Sequence, residues 1–404
     1  MTTYRERISC ESCGHTEFDV IFDFGEVPLA GSFPKNSNDK IETFPLKIVR
    51  CRHCGLIQTN TLIPPEILFK DYRYISSVGM QEHFNEFANW LVNTQKLTPM
   101  SNVMEFGCND GPLLDALKYR GIHNTIGVDP ATNIVELGRK KSLNIINDFF
   151  NYNFAKKKEW GNKFDLILAS NTFAHIEDIN SVIKGVHYCL KPKGRFIIEV
   201  QYLVDLVDKF QFDFMYHEHL FYYTVTSLKP LLSKYGLKII DVESIPIHSG
   251  SIRVIATKDT IESKQERVDG YLEIEKDYQD LSKFKNDVLI ALNKLDAKIK
   301  NLNIEGKNII GYGASGRANT LTSTLEWTNK DIKYIIDESS ERYNRYTSNG
   351  KIPILPPSEI QKIPVDYILI LAWNFADMII EKTKHLGIPY IIPFPEIKII
   401  DNVK

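Results

Sequence analysis

Four consecutive residues, Tyr216, His217, Glu218 and His219, put a phenol, two imidazoles and a carboxylate into one short segment. Imidazole titrates near neutral pH, so this cluster can move protons, with the carboxylate orienting an imidazole and raising its basicity. On a helical turn Tyr216 and His219 share a face. A solvated polar turn and a set of metal ligands are the other readings of the same string. A second constellation is Cys10-x-x-Cys13 with Cys51-x-x-Cys54. Each CxxC turn can present two thiolates, and two turns complete a closed tetrahedral site for a structural zinc. His15 and His53 are substitute ligands in this reading. Cys108 and Cys189 read as small packing residues.

Two glycine-rich turns form a third constellation. The first runs Glu105-Phe106-Gly107-Cys108-Asn109-Asp110-Gly111, with Asp129 about twenty residues beyond. The second runs Gly311-Tyr312-Gly313-Ala314-Ser315-Gly316, with Asp337 at a similar distance. Glycine lets the backbone approach a ligand, and an acidic residue at the next strand end can hold a ribose. Two such units predict an enzyme that closes over two nucleotide-bearing molecules. The second turn fits the dinucleotide pattern and, taken alone, supports an NAD-linked oxidoreductase.

The elements that must position these residues are legible as short apolar runs bounded by turn residues. Val103–Phe106, Thr125–Val128, Asp165–Ala169 and Arg195–Val200 read as buried strands, with helices over Pro112–Tyr119 and Ile134–Lys141. Strands are also expected near Asn308–Ile310, Tyr334–Ile336 and Tyr367–Leu371. Such alternation predicts an α/β fold with doubly wound parallel sheets. Between the two regions, apolar residues at Ile274, Tyr278, Leu281, Val288, Leu292, Leu295 and Ile299 predict one amphipathic helix within 261–300, its charges solvated.

The chain has 404 residues, too many for one core, and its 43% hydrophobic and 25% charged fractions are those of a soluble globular protein. A formal net charge of -2 offers no electrostatic argument for nucleic acid or membrane as partner. No apolar run is long enough to span a bilayer, and the first residues lack the apolar core of a signal peptide, so the cytoplasm is expected. The expected units are a zinc-binding module over 1–75, a Rossmann-like domain over 76–258 and a second one over 259–404.

The first glycine turn resembles motif I of class I S-adenosylmethionine methyltransferases. Four longer strings extend the likeness: Ser170-Asn171-Thr172-Phe173-Ala174-His175-Ile176, Ile198-Glu199-Val200-Gln201-Tyr202-Leu203, Asp213-Phe214-Met215-Tyr216-His217-Glu218-His219-Leu220 and His248-Ser249-Gly250-Ser251-Ile252-Arg253. Together with the cysteine module and the second glycine turn they make the chain similar to the sugar C-methyltransferases, which methylate C3 of nucleotide-linked 4-keto-deoxysugars. The resemblance covers nearly the whole chain.

It implies S-adenosylmethionine as cofactor, with Gly107, Asn109 and Gly111 in its loop, Glu105 toward the ammonium and Asp129 toward the ribose. It also implies Asp148 and Phe149 at the adenine, and Asn171 beside the methionine end. His219 is then the base that takes the C3 proton, with Tyr216, Glu218 and His175 around the sugar and Tyr74 near the ketone; Tyr72 is the alternative to Tyr74. The second glycine loop, with Gly311, Gly313, Ser315, Arg317 and Asp337, would hold the nucleotide end of the sugar, beside His248 and Arg253. Trp373 and Asn374, at a strand end facing that loop, read either as contacts to the nucleotide base or as a core tryptophan with a strand-end asparagine. The chain departs from the commoner family form in having Arg317 where lysine is usual, and His248-Ser249-Gly250-Ser251 where HGGS is frequent. The competing expectation is an NAD-dependent oxidoreductase acting on a nucleotide sugar through the second loop.

Overall fold

The computed structural model describes residues 4–68, 75–259, 263–362 and 364–401; Tyr72 and Tyr74 lie outside them. The N-terminal strands Phe18–Pro28, Thr43–Cys51 and Ile57–Thr59 form an antiparallel meander. The Cys51–Cys54 turn joins the second strand to the third. The fourth strand of this sheet, Phe221–Tyr222, comes from far along the chain and pairs antiparallel with Ile57–Gln58.

The central sheet has seven strands. They lie in the order Lys238–Ile245, Ser251–Thr257, Leu190–Gln201, Phe164–Ser170, Val103–Phe106, Thr125–Asp129 and Ile145–Asn147. The last five are mutually parallel, and Ser251–Thr257 runs antiparallel between its two neighbours. The four strands expected from the sequence are all present, and the helix Pro112–Tyr119 has the expected bounds. Runs such as Val103-Met104 and Ile167-Leu168 are apolar on both sides because helices cover both faces of a parallel sheet. The chain reverses its direction of winding between Val103–Phe106 and Phe164–Ser170. At such a switch point a crevice opens beyond the carboxyl ends of the strands.

The C-terminal sheet also has seven strands, in the order Arg345–Tyr346, Pro353–Leu355, Ile335–Ile336, Ile309–Tyr312, Tyr367–Ile370, Tyr390–Ile392 and Lys398–Ile400. Its middle five are parallel and its edges antiparallel. The expected single helix within 261–300 is broken. Helices Gln265–Ile274 and Ser282–Ile304 flank a tight turn at Glu275–Tyr278. Ile274 is exposed, and Glu275, expected on a solvated face, is buried. Its carboxylate accepts from Tyr202 Oη, Val225 N, Thr226 N and Thr226 Oγ1, and this capture of one helix start by a charge from another explains the break.

One apolar cluster runs through Phe22 and Leu46 of the N-terminal module, Leu203 and Phe212 of the central region, Val288 and Leu295 of the long helix, and Ile309 and Trp327 of the C-terminal sheet. Burying each large apolar side chain stabilises by about 1.5–3 kcal/mol. The three regions therefore hold one another in place around the cleft.

Candidate functional site

At the crevice of the central sheet lies a cavity of about 430 Å³ lined by Gly107, Asn109, Asp129, Phe149, Asn171, His175 and His248. Gly107 has φ +64°, and a Cβ there would stand 2.1 Å from Thr172 Oγ1, so only glycine fits. Gly111, at φ +76°, opens the helix Pro112–Tyr119 and is packed by Leu143 outside the cavity lining. Asp129 accepts from Asn109 N at 2.8 Å and Ala131 N at 2.9 Å, which fixes its carboxylate at the cavity wall with lone pairs to spare. Burial raises its pKa despite these bonds.

Glu105 lies at the end of its strand, almost wholly buried, and its Oε2 has no hydrogen-bond partner. Burial, and then the charges of Glu199 and Asp129, push its pKa up to about 8. Glu105 is not among the residues lining the cavity and has Ser170 against its carboxyl, but it precedes the glycine cradle by two residues, and a buried carboxyl with an unpaired oxygen there could answer a cationic group such as an α-ammonium. Asp148 is exposed, with Oδ1 accepting from Phe149 N, and Phe149 lines the cavity mouth. The buried ring stacked on Phe106 belongs to Phe150.

Asn171, at φ +53°, donates from Nδ2 to Glu199 Oε1 at 3.0 Å. Glu199 also meets His83 Nε2 at 2.8 Å, and its other oxygen pairs with Arg253 Nη2 at 2.8 Å. These partners hold Glu199 below the usual carboxylate range against the effect of its burial. Arg253, expected toward the substrate, is thus committed to Glu199, its register partner on the adjacent strand. Its guanidinium lies 3.9 Å from the Phe87 ring centroid and 4.5 Å from that of Trp90. Glu199 and His83 received no role from the sequence, although a lone acid within the apolar run Arg195–Val200 was a readable signal.

The Tyr216–His219 segment forms one turn closed by His219 N donating to Tyr216 O at 3.0 Å, and the two rings stand 4.1 Å apart. His219 Nδ1 lies 2.7 Å from Phe214 O, so Nδ1 carries the proton and Nε2 is the basic nitrogen. Burial, then the neighbouring His175, hold its pKa well below the ordinary value. The His175 and His219 rings meet edge to face at 4.9 Å. Burial lowers the His175 pKa to about 4, and its Nδ1 has no partner. His248 lines the same cavity.

Glu218 does not supply the orienting contact expected of it. Its Oε1 accepts from Gly31 N at 3.2 Å, and the Phe214 carbonyl orients the His219 imidazole. Burial raises the Glu218 pKa to about 7. His217 points into the N-terminal module, with Nε2 on Pro45 O at 3.2 Å and its ring against Phe44. His217, Glu218 and His219 therefore engage different partners, which removes the metal-ligand reading of the string. Beside them, His248 and Ser249 have φ of 49° and 63°, and Gly250 has 132°. Serine occupies a left-handed position that glycine would take at lower cost.

The second glycine loop faces this segment. A Cβ on Gly316 would lie 3.9 Å from Tyr216 Cζ, and Gly313, at φ +95°, packs on Ala372. Ser315 caps the helix Gly316–Thr324. Arg317 donates from Nη2 to Asp213 Oδ1 at 2.7 Å, while Trp373 Nε1 donates to Asp213 Oδ2 at 3.0 Å. The Arg317 guanidinium lies 4.5 Å from the Phe214 ring and 4.9 Å from the Trp373 ring, with Nε and Nη1 buried and unpaired. Two unanswered donors on a buried cation suit an anionic ligand. Asn374 is half-buried in the turn that carries Trp373. Asp337 is engaged by Ala314 N at 2.7 Å and by Arg342 at 3.1 Å, so its carboxylate is already used within the lobe.

The sulfurs of Cys10, Cys13, Cys51 and Cys54 all lie within 4.8 Å of one another, and two of the separations are 3.5 Å. Sulfurs 2.3 Å from a tetrahedral zinc would stand about 3.8 Å apart, so the donor set fits the metal. Gly14 and Gly55, both at positive φ, close the two turns with N–H bonds to Cys10 O and Cys51 O. His15 and His53 stack on each other at 3.6 Å.

Comparison with known proteins follows the same division. A methyltransferase domain family matches residues 79–242, the C-methyltransferase C-terminal domain family matches 246–395, and the family described as "Putative zinc binding domain" matches 10–69. The chain is 31% identical to the C-methyltransferase NovU of Streptomyces niveus over 97% of its own length and 96% of that protein. Among solved structures it is similar to a magnesium protoporphyrin IX methyltransferase from Synechocystis, at 17% identity over 44% of this chain and 79% of the other, with a TM-score of 0.34. It is likewise similar to an S-adenosylmethionine dependent methyltransferase from Mesorhizobium loti, at 15% identity over 43% and 99%, with a TM-score of 0.34.

Proposed function

Because the chain belongs to the S-adenosylmethionine-dependent C-methyltransferases, we propose that it methylates C3 of a nucleotide-linked 4-keto-deoxysugar in the cytoplasm, working as three units over 1–75, 76–258 and 259–404. The single observation that carries the reading is the tautomer of His219. With Nδ1–H on the Phe214 carbonyl, Nε2 is a neutral base between the cofactor cavity and the second glycine loop. A carbon beside a ketone becomes nucleophilic only when its proton is removed, and a buried, unprotonated imidazole suits that step.

In this reading His219 Nε2 takes the C3 proton, and the electron pair moves onto the C4 oxygen. Tyr216 and His175 hold the sugar and the enolate oxygen, with Tyr74 assigned to the same task from outside the described residues. Glu105 would hold the cofactor's ammonium, Asp129 its ribose, Asp148 and Phe149 its adenine, and Asn171 its methionine end. S-Adenosylmethionine supplies an electrophilic methyl group when bound. Arg317, with two unanswered donors, would take the diphosphate, and the Trp373–Asn374 turn the base. The oxidoreductase alternative is not favoured: Asp337, which would have to hold a cofactor ribose, is occupied by Arg342.

The test has two arms. Incubation with S-adenosylmethionine and a panel of nucleotide 4-keto sugars should add one methyl group to one of them by mass spectrometry. With S-adenosylhomocysteine in deuterated water, the wild type should exchange the C3 hydrogen and His219→Ala should not. Loss of a general base costs about 10²–10⁴-fold. Equal exchange by both proteins would assign the base elsewhere.

A further inference from the structure

The zinc-binding module grips the segment that carries His219 at several points. His217 reaches Pro45 O, and Glu218 accepts from Gly31 N. Thr59 makes the closest grip: its Oγ1 donates to His219 O at 2.7 Å and its N donates to Leu220 O at 3.0 Å. Immediately afterwards Phe221–Tyr222 joins the module's sheet beside Ile57–Gln58. Thr59 is fully buried and lies on the strand that leaves the Cys51–Cys54 turn, so the metal site closes the hairpin that carries it.

We propose that Thr59 is a positioning residue for the proton-transfer step, through which the zinc-binding hairpin sets the backbone of His219. The proposal rests on the reading of His219 as base. The side chain of His219 is fixed at one end by Phe214 O and its backbone at the other by Thr59, so the path of Nε2 is defined only when both hold. Loss of the hydroxyl leaves the His219 carbonyl buried without this donor, and the turn Tyr216–His219 relaxes. A shift of about 1 Å in a reacting group can cost on the order of 10²-fold in rate.

Thr59→Val and Thr59→Ser separate this role from general stability, since valine keeps the shape and serine keeps the donor. Zinc content and S-adenosylmethionine affinity are measured on each variant to show that the fold and the cofactor cavity persist. The readouts are C3 deuterium exchange at saturating nucleotide sugar and the Nδ1–H resonance of His219 by NMR. Thr59→Val should slow exchange ten- to a hundredfold and shift or broaden the resonance, while Thr59→Ser restores both. Wild-type exchange and an unmoved resonance in Thr59→Val would overturn the proposal, as would equal defects in both variants or a defect confined to KM. If the wild type itself fails to exchange, or His219→Ala exchanges normally, the functional reading fails instead.

Discussion

Replacing Glu105 with glutamine tests the cofactor site by counting protons. With a pKa of about 8, the free carboxyl is roughly 90% protonated at pH 7. An ammonium against its unanswered oxygen favours the ionised form. Binding of S-adenosylmethionine should therefore expel most of a proton from Glu105, offset by about 0.1 taken up by an α-amino group of pKa ~7.8. Calorimetry at pH 7 in buffers of different ionisation enthalpy should give a net proton release for the wild type and none for Glu105→Gln. A bond to a charged partner contributes roughly 1.5–3 kcal/mol, but ionising this carboxyl at pH 7 costs about 1.4 kcal/mol. The affinity ratio of wild type to variant should therefore be about 1- to 15-fold at pH 7, and it gains little at pH 9, where the carboxyl is ionised but the ligand's α-amino group is largely uncharged. The sign for the free protein is opposite. A carboxyl whose pKa is raised by folding loses stability as pH rises from its unfolded value toward 8, so Glu105→Gln should flatten the decline of Tm over that range. Equal proton release by both proteins would refute the reasoning.

Metal analysis should find one zinc per chain, and Cys51→Ser should lose metal and thermal stability together; metal bound at the YHEH segment would contradict the assignment. Asp129→Ala should weaken S-adenosylmethionine binding by roughly 1.5–3 kcal/mol for each charged bond lost to the ribose, read by calorimetry. Tight NAD binding by the wild type would revive the oxidoreductase alternative. Arg317→Ala should raise KM for the nucleotide sugar and leave S-adenosylmethionine affinity unchanged, while lowering Tm because Asp213 is left buried without its cation. The reverse pattern of affinities would exchange the ligands of the two lobes.

Local chemistry was readable from the chain alone. Strands such as Val103–Phe106 are fixed by apolar runs, Gly107 by a turn no other residue can make, and the four cysteines by a spacing that few structures other than a metal site use. These features depend on neighbours in sequence, and the backbone expresses them wherever the segment lies. The break in the amphipathic stretch at Glu275 was not readable, because its partners Tyr202, Val225 and Thr226 lie some fifty to seventy residues away. The same holds for the site. The YHEH string suggested proton chemistry, but which histidine could serve as a base depends on what each side chain meets. His217 is held by Pro45 and His219 by Phe214, while Arg253 is claimed by Glu199 and Arg317 by Asp213. Types and spacings give the inventory of groups; packing across the three regions fixes their directions, because a hydrogen bond depends on distance and angle that sequence separation does not encode.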